Sequence, residues 1–345
     1  MIKVGLIGAG KMGLSHLAIL GAHPEVEIVG VVDYSKMICD VLDKYSSFET
    51  FKDYQQMLNE RNPDAVIVAV PTKHHASIVE ELIQRGIHVF VEKPFCLNTQ
   101  QGSLLVKLAK QKNIVNQVGY HNKFIGTFEE AKKILSKGLL GKVYHFEGEA
   151  YGPVVIKKTQ NTWRSKADEG GGCLLDYASH VIDLLNYLID PIENIKGSLI
   201  KNIYSSNVED AVYSLLETKQ KITGVLSVNW SEDTYRKMST SITINGSYGK
   251  MIVDATELKV YFKSINTPTG YTKGWNMKYI TDFDKKLNYY LRGEEYTLQL
   301  DYFINSIKGN VPNNINNFES ALLTDTIISK IKNNYKLHEQ NTIWG

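Results

Sequence analysis

A lysine closing an apolar strand, and an aspartate and histidine four residues apart, are the side chains of this sequence whose types and spacing could do chemistry. In HVFVEKPFCLNT, His88 to Thr99, four residues that read as a buried strand give way to Glu92 and Lys93, with Pro94 directly behind. A strand end is a rigid mount for a charged group. Asp176 and His180 lie in one helical stretch, hence on the same face. An acidic group beside an imidazole can fix its tautomer and stabilise its protonated form. The same spacing also serves helix caps and plain surfaces. Here Gly170-Gly171-Gly172 precedes it, a flexible lead-in that lets a helix begin close to a ligand.

The elements that position such groups begin at the N-terminus. KVGLIG reads as a short strand, and GAGKMG then opens a helix through LSHLAIL. Gly8 permits a tight turn, Gly10 lets backbone approach a pyrophosphate, and Gly13 allows close helix–strand packing. The helix N-terminus offers unpaired N–H groups and the positive end of a dipole to phosphates. A second strand, EIVGVV, leads to Asp33, twenty residues beyond Gly13, where an acidic residue meets the adenosine ribose hydroxyls of a dinucleotide. A carboxylate there accepts from an unmodified 2′-hydroxyl and repels a 2′-phosphate. NAD is therefore favoured over NADP, although Lys36 stands nearby.

The alternation continues with DAVIVAV ending at Pro71-Thr72, the amphipathic helix HHASIVEELIQRG, the strand IHVFVE, the helix TQQGSLLVKLAKQK and the strand NIVNQVGY. Strands this apolar, separated by helices, predict a parallel sheet covered on both faces. Ligands of such sheets bind at the strands' carboxyl ends, and Lys93 is at one of them. After Tyr120 the pattern changes. A helix through GTFEEAKKILSKG leads to the alternating strand KVYHFEGEAYG, then to the glycine-rich loop and its helix. Alternating strands DAVYSLLETKQ, KITGVLSVNWS, KMSTSITING, GKMIVDAT and LKVYF follow, joined by short turns as in an antiparallel sheet. Two helices, YTLQLDYFINSIKG and FESALLTDTIISKIKNNY, close the chain. The expected fold class is α/β: a doubly wound parallel (Rossmann) sheet over 1–121, then an α+β domain with a large open, mainly antiparallel sheet over 122–345. The closing helices can pack back on the first domain.

Composition narrows the function classes. At 345 residues the chain can hold two domains, and 43% apolar with 22% charged residues is an ordinary globular mixture. The 39 basic and 37 acidic side chains leave a charge of +2, too even for the basic face that a nucleic-acid partner requires. Cys39, Cys96 and Cys173 form no CxxC pair, which argues against a disulfide framework or a zinc site, so no metal is expected. No apolar run nears the ~20 residues of a membrane span, and the N-terminus enters strand-like sequence without the order of a signal peptide. The expectation is a cytoplasmic protein with neither nucleic acid nor membrane as partner.

Taken in order, GAGKMG, Asp33, VPTKHH, the EKP of Glu92-Lys93-Pro94, the WR of Trp163-Arg164 and GGGCLLDYASHVIDLL resemble the glucose–fructose oxidoreductase/inositol dehydrogenase (Gfo/Idh/MocA) family over essentially the whole chain. The resemblance implies an NAD(P)-dependent oxidoreductase acting on a small carbohydrate: a sugar, polyol or nucleotide-linked sugar. It implies that the open sheet serves substrate binding and oligomer contacts, in a homodimer or homotetramer. Lys93, Asp176 and His180 would be the catalytic group. Gly8, Gly10, Lys11, Met12, Gly13, Asp33, Pro71, Thr72, His75, Glu92 and Lys93 would surround the cofactor, and the Lys93–Pro94 bond would be cis. Tyr120 and His121 close the last parallel strand, where family members often show an asparagine and arginines instead. With Tyr151, Trp163 and Arg164 they are the candidates for the sugar site; for the last three a packing role is equally open.

Oxidising a secondary alcohol requires a proton acceptor at the hydroxyl while hydride leaves its carbon. His180 suits the general base. Lys93 can donate a hydrogen bond to the reacting oxygen and stabilise developing alkoxide charge. Asp176 can orient the imidazole or bind a neighbouring hydroxyl. Two alternatives share this cleft: a redox-neutral, NAD-dependent glycoside-cleaving enzyme, and a non-catalytic cofactor- or sugar-sensing protein. A sensor needs only the nucleotide cleft, so lysine, aspartate and histidine together argue against it. Cleavage needs a further acid–base group, for which no distinctive motif is present.

Overall fold

Segments such as AVIV and HVFV have no polar face to offer water, so both sides of the sheet they form must be covered. The computed structural model describes residues 1–155, 162–263, 269–283, 287, 290–291 and 293–342, with side chains through 335. The chain divides into two compact units, Met1–His121 with Lys286–Leu322, and Asn122–Lys285 with Leu323–Gly345.

In the first unit, strands β1 (Ile2–Ile7), β2 (Val26–Val32), β3 (Thr50–Phe51), β4 (Ala65–Val68), β5 (His88–Val91) and β6 (Asn116–Val118) alternate with helices α1 (Lys11–Gly21), α2 (Lys36–Tyr45), α3 (Tyr54–Arg61), α4 (His75–Gln84) and α5 (Thr99–Gln111). The strands form a parallel sheet in the order β3-β2-β1-β4-β5-β6. The pleat sends Val66, Val68, Val89 and Val91 to one face, where Leu82, Ile83 and Leu105 cover them. Val4, Leu6, Ile67 and Phe90 go to the other face, against Leu17 and Leu20 of α1 and Leu300, Phe303 and Ile304 of the penultimate helix. The doubly wound expectation is met. The Lys93–Pro94 peptide bond is cis, as the resemblance implies.

The second unit opens with α6 (Gly126–Ser136) and β7 (Val143–Tyr151), and a π turn, Leu174–Ala178, runs directly into α7 (Ser179–Leu188). Strands β8 (Ile192–Lys201), β9 (Ala211–Thr218), β10 (Thr223–Asn229), β11 (Ser239–Gly246), β12 (Gly249–Asp254), β13 (Glu257–Phe262) and β14 (Gly274–Tyr279) follow. Helices α8 (Glu294–Ile307) and α9 (Phe318–Thr342) close the described chain, and α8 lies in the first unit. Among the described residues, the second sheet runs β14-β13-β12-β11-β7-β10-β9-β8, antiparallel throughout except for the parallel pair β7–β10. Strand β8 escaped the sequence reading because two register shifts, at Ile192/Asn194 and Ile195/Gly197, break its alternation. Phe146, Ala150, Leu226 and Ile242 face the core beneath α7, while Glu147, Glu149 and Tyr151 face outward.

Among the described residues no helix is long and apolar enough to cross a membrane, and no group of His, Cys, Asp and Glu is arranged to hold a metal ion.

Candidate active site

At the end of β1, Gly8 has φ 94°, a left-handed conformation that strains any residue carrying a Cβ. A Cβ on Gly13 would lie 1.8 Å from the Gly8 carbonyl oxygen, so the first turn of α1 rests directly on the loop. Nothing stands within 4 Å of where a Cβ on Gly10 would be, and no side chain caps α1 there. The first amides of the helix are thus left open to an anion. Lys11 is exposed and Met12 half-buried beside them. Asp33 follows the neighbouring strand, its carboxylate accepting from the Ala9 amide at 2.7 Å and the Ser35 amide at 2.8 Å. It braces the loop and still has lone pairs for ribose hydroxyls. The strand order reverses between β1 and β4, and exposed Pro71 and buried Thr72 follow β4 at that crevice. Open amides for a pyrophosphate and a carboxylate for a ribose fit a dinucleotide.

One strand further, β5 delivers Glu92 and half-buried Lys93. Glu92 Oε1 lies 2.6 Å from Nε2 of His16, a fully buried residue of α1 that the sequence reading passed over as helix body. Burial pushes the Glu92 pKa up. The hydrogen bond from His16 and attraction to His16, Lys93 and His121 outweigh that and hold it below the usual carboxylate range. His75, assigned to the cofactor, has another task. Its Nδ1 faces the Pro94 carbonyl at 3.0 Å and its Nε2 the Val70 carbonyl at 2.9 Å, so the ring braces the turns after β4 and β5. Burial lowers its pKa. Tyr120, assigned to the sugar, is fully buried in the first unit's core, and its carbonyl accepts from the Asn316 side chain. His121 stacks on Tyr296, ring centroids 4.5 Å apart.

In the second unit the π turn and α7 carry Asp176 and His180, both buried. Nε of Arg164 donates to Asp176 at 3.0 Å, and the Arg164 guanidinium lies over the Trp163 ring at 4.8 Å. The WR and DxxxH motifs, far apart as sequence signals, are one cluster. Arg164 leaves 40% of its side chain exposed, so its remaining donors stay accessible. The glycine lead-in is not loose, as expected, but pinned. Gly171 donates to the Lys166 carbonyl and Gly172, at φ 101°, to the Arg164 carbonyl. Glu209, also missed, accepts from the Leu174 amide at 3.1 Å and so caps the turn that carries Asp176. Its burial raises its pKa. No local signal marks His16 or Glu209, because each partner is distant in sequence.

Tyr151, a candidate for the sugar site, is placed by the pleat of β7. Residues 146, 148 and 150 face α7, so Tyr151 points to the opposite face of the sheet. There its hydroxyl donates to Ser227 at 2.8 Å and lies 3.1 Å from Glu149, and burial pushes its pKa up to about 12.

Residues 2–120 match the model of the family described as "Oxidoreductase family, NAD-binding Rossmann fold", and residues 128–252 match the Gfo/Idh/MocA C-terminal domain. Levoglucosan dehydrogenase of Pseudarthrobacter phenanthrenivorans is 25% identical over 209 residues, 57% of this chain and 54% of that protein. The scyllo-inositol 2-dehydrogenase (NADP(+)) IolW of Bacillus subtilis is 29% identical over 219 residues, 63% of this chain and 60% of that protein. The chain thus spans somewhat more than half the length of these relatives. A structure of levoglucosan dehydrogenase in complex with NADH and levoglucosan superposes with a TM-score of 0.85 at 20% identity, covering 97% of each chain. For the WlbA dehydrogenase from Bordetella pertussis in complex with NADH and UDP-GlcNAcA the TM-score is 0.79 at 22% identity, over 97% of this chain and 96% of that one. These structural likenesses reproduce the fold seen here. With both family matches they lead to one conclusion: the chain belongs to the Gfo/Idh/MocA family of oxidoreductases, and its first unit is an NAD-binding Rossmann domain.

Proposed function

We propose that this chain is an NAD-dependent oxidoreductase that moves a hydride between nicotinamide and a secondary hydroxyl or ketone of a sugar, polyol or nucleotide-linked sugar. The observation that carries this reading lies within the first unit. The glycine cradle with Asp33 and the Lys93 strand end both stand at the carboxyl edge of one parallel sheet. NAD, when bound, accepts or returns the hydride. The loop from Gly8 to Gly13 receives its phosphates and Asp33 its adenosine ribose.

Lys93 donates a hydrogen bond to the reacting oxygen, a contribution of about 3 kcal/mol when such a donor meets developing negative charge. His180 takes the hydroxyl proton, which contributes ~10²–10⁴ in rate. Asp176, tied to Arg164, holds a fixed acceptor one turn before the imidazole. Trp163 and the open donors of Arg164 offer an aromatic face and planar N–H groups to a hydroxyl-rich ligand. The names of the relatives, a levoglucosan dehydrogenase and a scyllo-inositol 2-dehydrogenase, support a polyhydroxylated ring as substrate.

The test is absorbance at the NADH band with NAD and a panel of sugars, inositols and nucleotide-linked sugars, and with NADH and the matching ketones. At least one pair should turn over. NAD binding by calorimetry with no turnover across the panel would favour the sensing protein instead.

A further inference from the structure

Helix α1, which carries the glycine loop, is joined to the Lys93 strand end by a buried hydrogen bond that hydride transfer itself does not require. His16 Nε2 lies 2.6 Å from Glu92 Oε1, with the two side chains 0% and 12% exposed. On the other side the Lys93 amide donates to Glu92 Oε2 at 3.3 Å. Gly119, just beyond β6, makes room for the carboxylate: a Cβ there would stand 3.0 Å from both of its oxygens. The His16 ring is fixed edge-on to Phe90, centroids 5.1 Å apart. Its Nδ1 has no partner among the described residues. A proton on Nε2 lets the ring donate to Glu92. The titratable groups facing Glu92 are His16 from α1, His75 from α4, Lys93 beside it and His121 beyond β6.

We infer that His16 is a positioning residue: it clamps the Glu92 carboxylate, which fixes the backbone at Lys93 relative to the glycine loop and presents the lysine ammonium in one orientation. The importance of Lys93 rests on the function proposed above; the clamp itself does not. The carboxylate is held low in pKa against its own burial, with the His16 hydrogen bond the first force opposing burial. Removing the imidazole removes that force, and the carboxyl then protonates at higher pH.

The clamp is tested on the full chain without cofactor, by following the Lys93 and Gly119 amide resonances through an acid titration. In the wild type their inflection should fall below the ordinary carboxylate range. His16→Leu should raise it by roughly one pH unit or more, since a hydrogen bond to the charged form is lost. His16→Gln, whose side-chain amide reaches as far as the imidazole Nε2, should bring it back. If His16→Leu fails to fold, His16→Asn keeps a polar group that is too short to reach Glu92 and should show the same rise. An inflection unmoved in Leu or Asn overturns the clamp. With a competent substrate, His16→Leu should lower kcat roughly tenfold, leave the KM for NAD within about twofold, and be rescued by His16→Gln. An unchanged kcat, or a loss confined to NAD affinity, overturns the positioning role. If the wild type turns nothing over, the proposed function fails and the titration still decides the clamp.

Discussion

Asp33 gives one carboxylate to two tasks. It holds the Ala9 and Ser35 amides and, in the proposed function, the adenosine ribose. Asp33→Ser keeps a short polar group while removing the charge that repels a 2′-phosphate. Losing a hydrogen bond to a charged acceptor costs about 1.5–3 kcal/mol, so calorimetry should show the NAD-over-NADP preference falling by roughly tenfold or more. Tighter NADP than NAD binding by the unaltered protein would sink the assignment. At the reacting oxygen, Lys93→Ala and His180→Ala should each reduce kcat by ~10²–10⁴. His180→Ala should leave NAD affinity nearly unchanged, because His180 belongs to the unit without the glycine cradle; near-normal turnover in both variants ends their roles. Gly8, Gly13 and Asp33 were legible in the sequence because local backbone geometry demands those residue types at those spacings. His16 and Glu209 were not, since nothing local shows that an ordinary helical histidine will meet Glu92, or that a loop glutamate will cap Leu174.

At the scale of elements, α7 is anchored by charge as well as by packing. Lys123 donates to Asp183 of α7 at 2.7 Å, with side chains 3% and 2% exposed. Burial pushes the Asp183 pKa up, and the Lys123 charge and hydrogen bond pull it back only in part. Lys123→Met leaves that carboxylate buried without its cation and should cost about 3–5 kcal/mol at neutral pH. A carboxyl whose folded pKa is raised contributes stability below its unfolded value, and that contribution is lost as pH rises through the folded value. The variant lacks the opposing lysine, so its deficit should shrink as pH falls through the raised folded value of Asp183, read from urea midpoints. A deficit independent of pH would show that the carboxylate is not what destabilises it. Strong periodicity made the parallel strands and the closing helices readable. Strand β8 was hidden by its two register shifts, and the outward direction of Tyr151 depended on the register of β7, which sequence alone leaves one residue ambiguous.

For the molecule as a whole, two predictions remain. Leu199, Tyr213 and Leu215 on one outward flank of the second sheet, and Trp275 and Met277 on the other, stay exposed. We propose that copies of the chain meet there. Light scattering should give a dimer or tetramer and Leu215→Glu should lower the mass, whereas a monomeric wild type would remove the proposal. The last prediction is net oxidation or reduction rather than redox-neutral cleavage. Cleavage needs a second acid–base group to take the proton beside a transient ketone, and NAD must be retained so that hydride returns to the same molecule. Of the three candidates Tyr120, His121 and Tyr151, the two phenols do not fit, and the His121 ring is stacked on Tyr296. Tyr120 is in the core, and Tyr151 faces away from α7 with its pKa pushed up to about 12. Burial also raises Tyr177, beside Asp176, so none of these phenols is poised to give up a proton near neutrality. Glu209 is occupied with the Leu174 amide. Dehydrogenation asks only for Lys93 and His180 at one hydroxyl. With a competent substrate, one NADH should therefore appear or disappear for each product formed. Many turnovers on a trace of tightly held NAD, with no net absorbance change, would instead establish the cleaving enzyme.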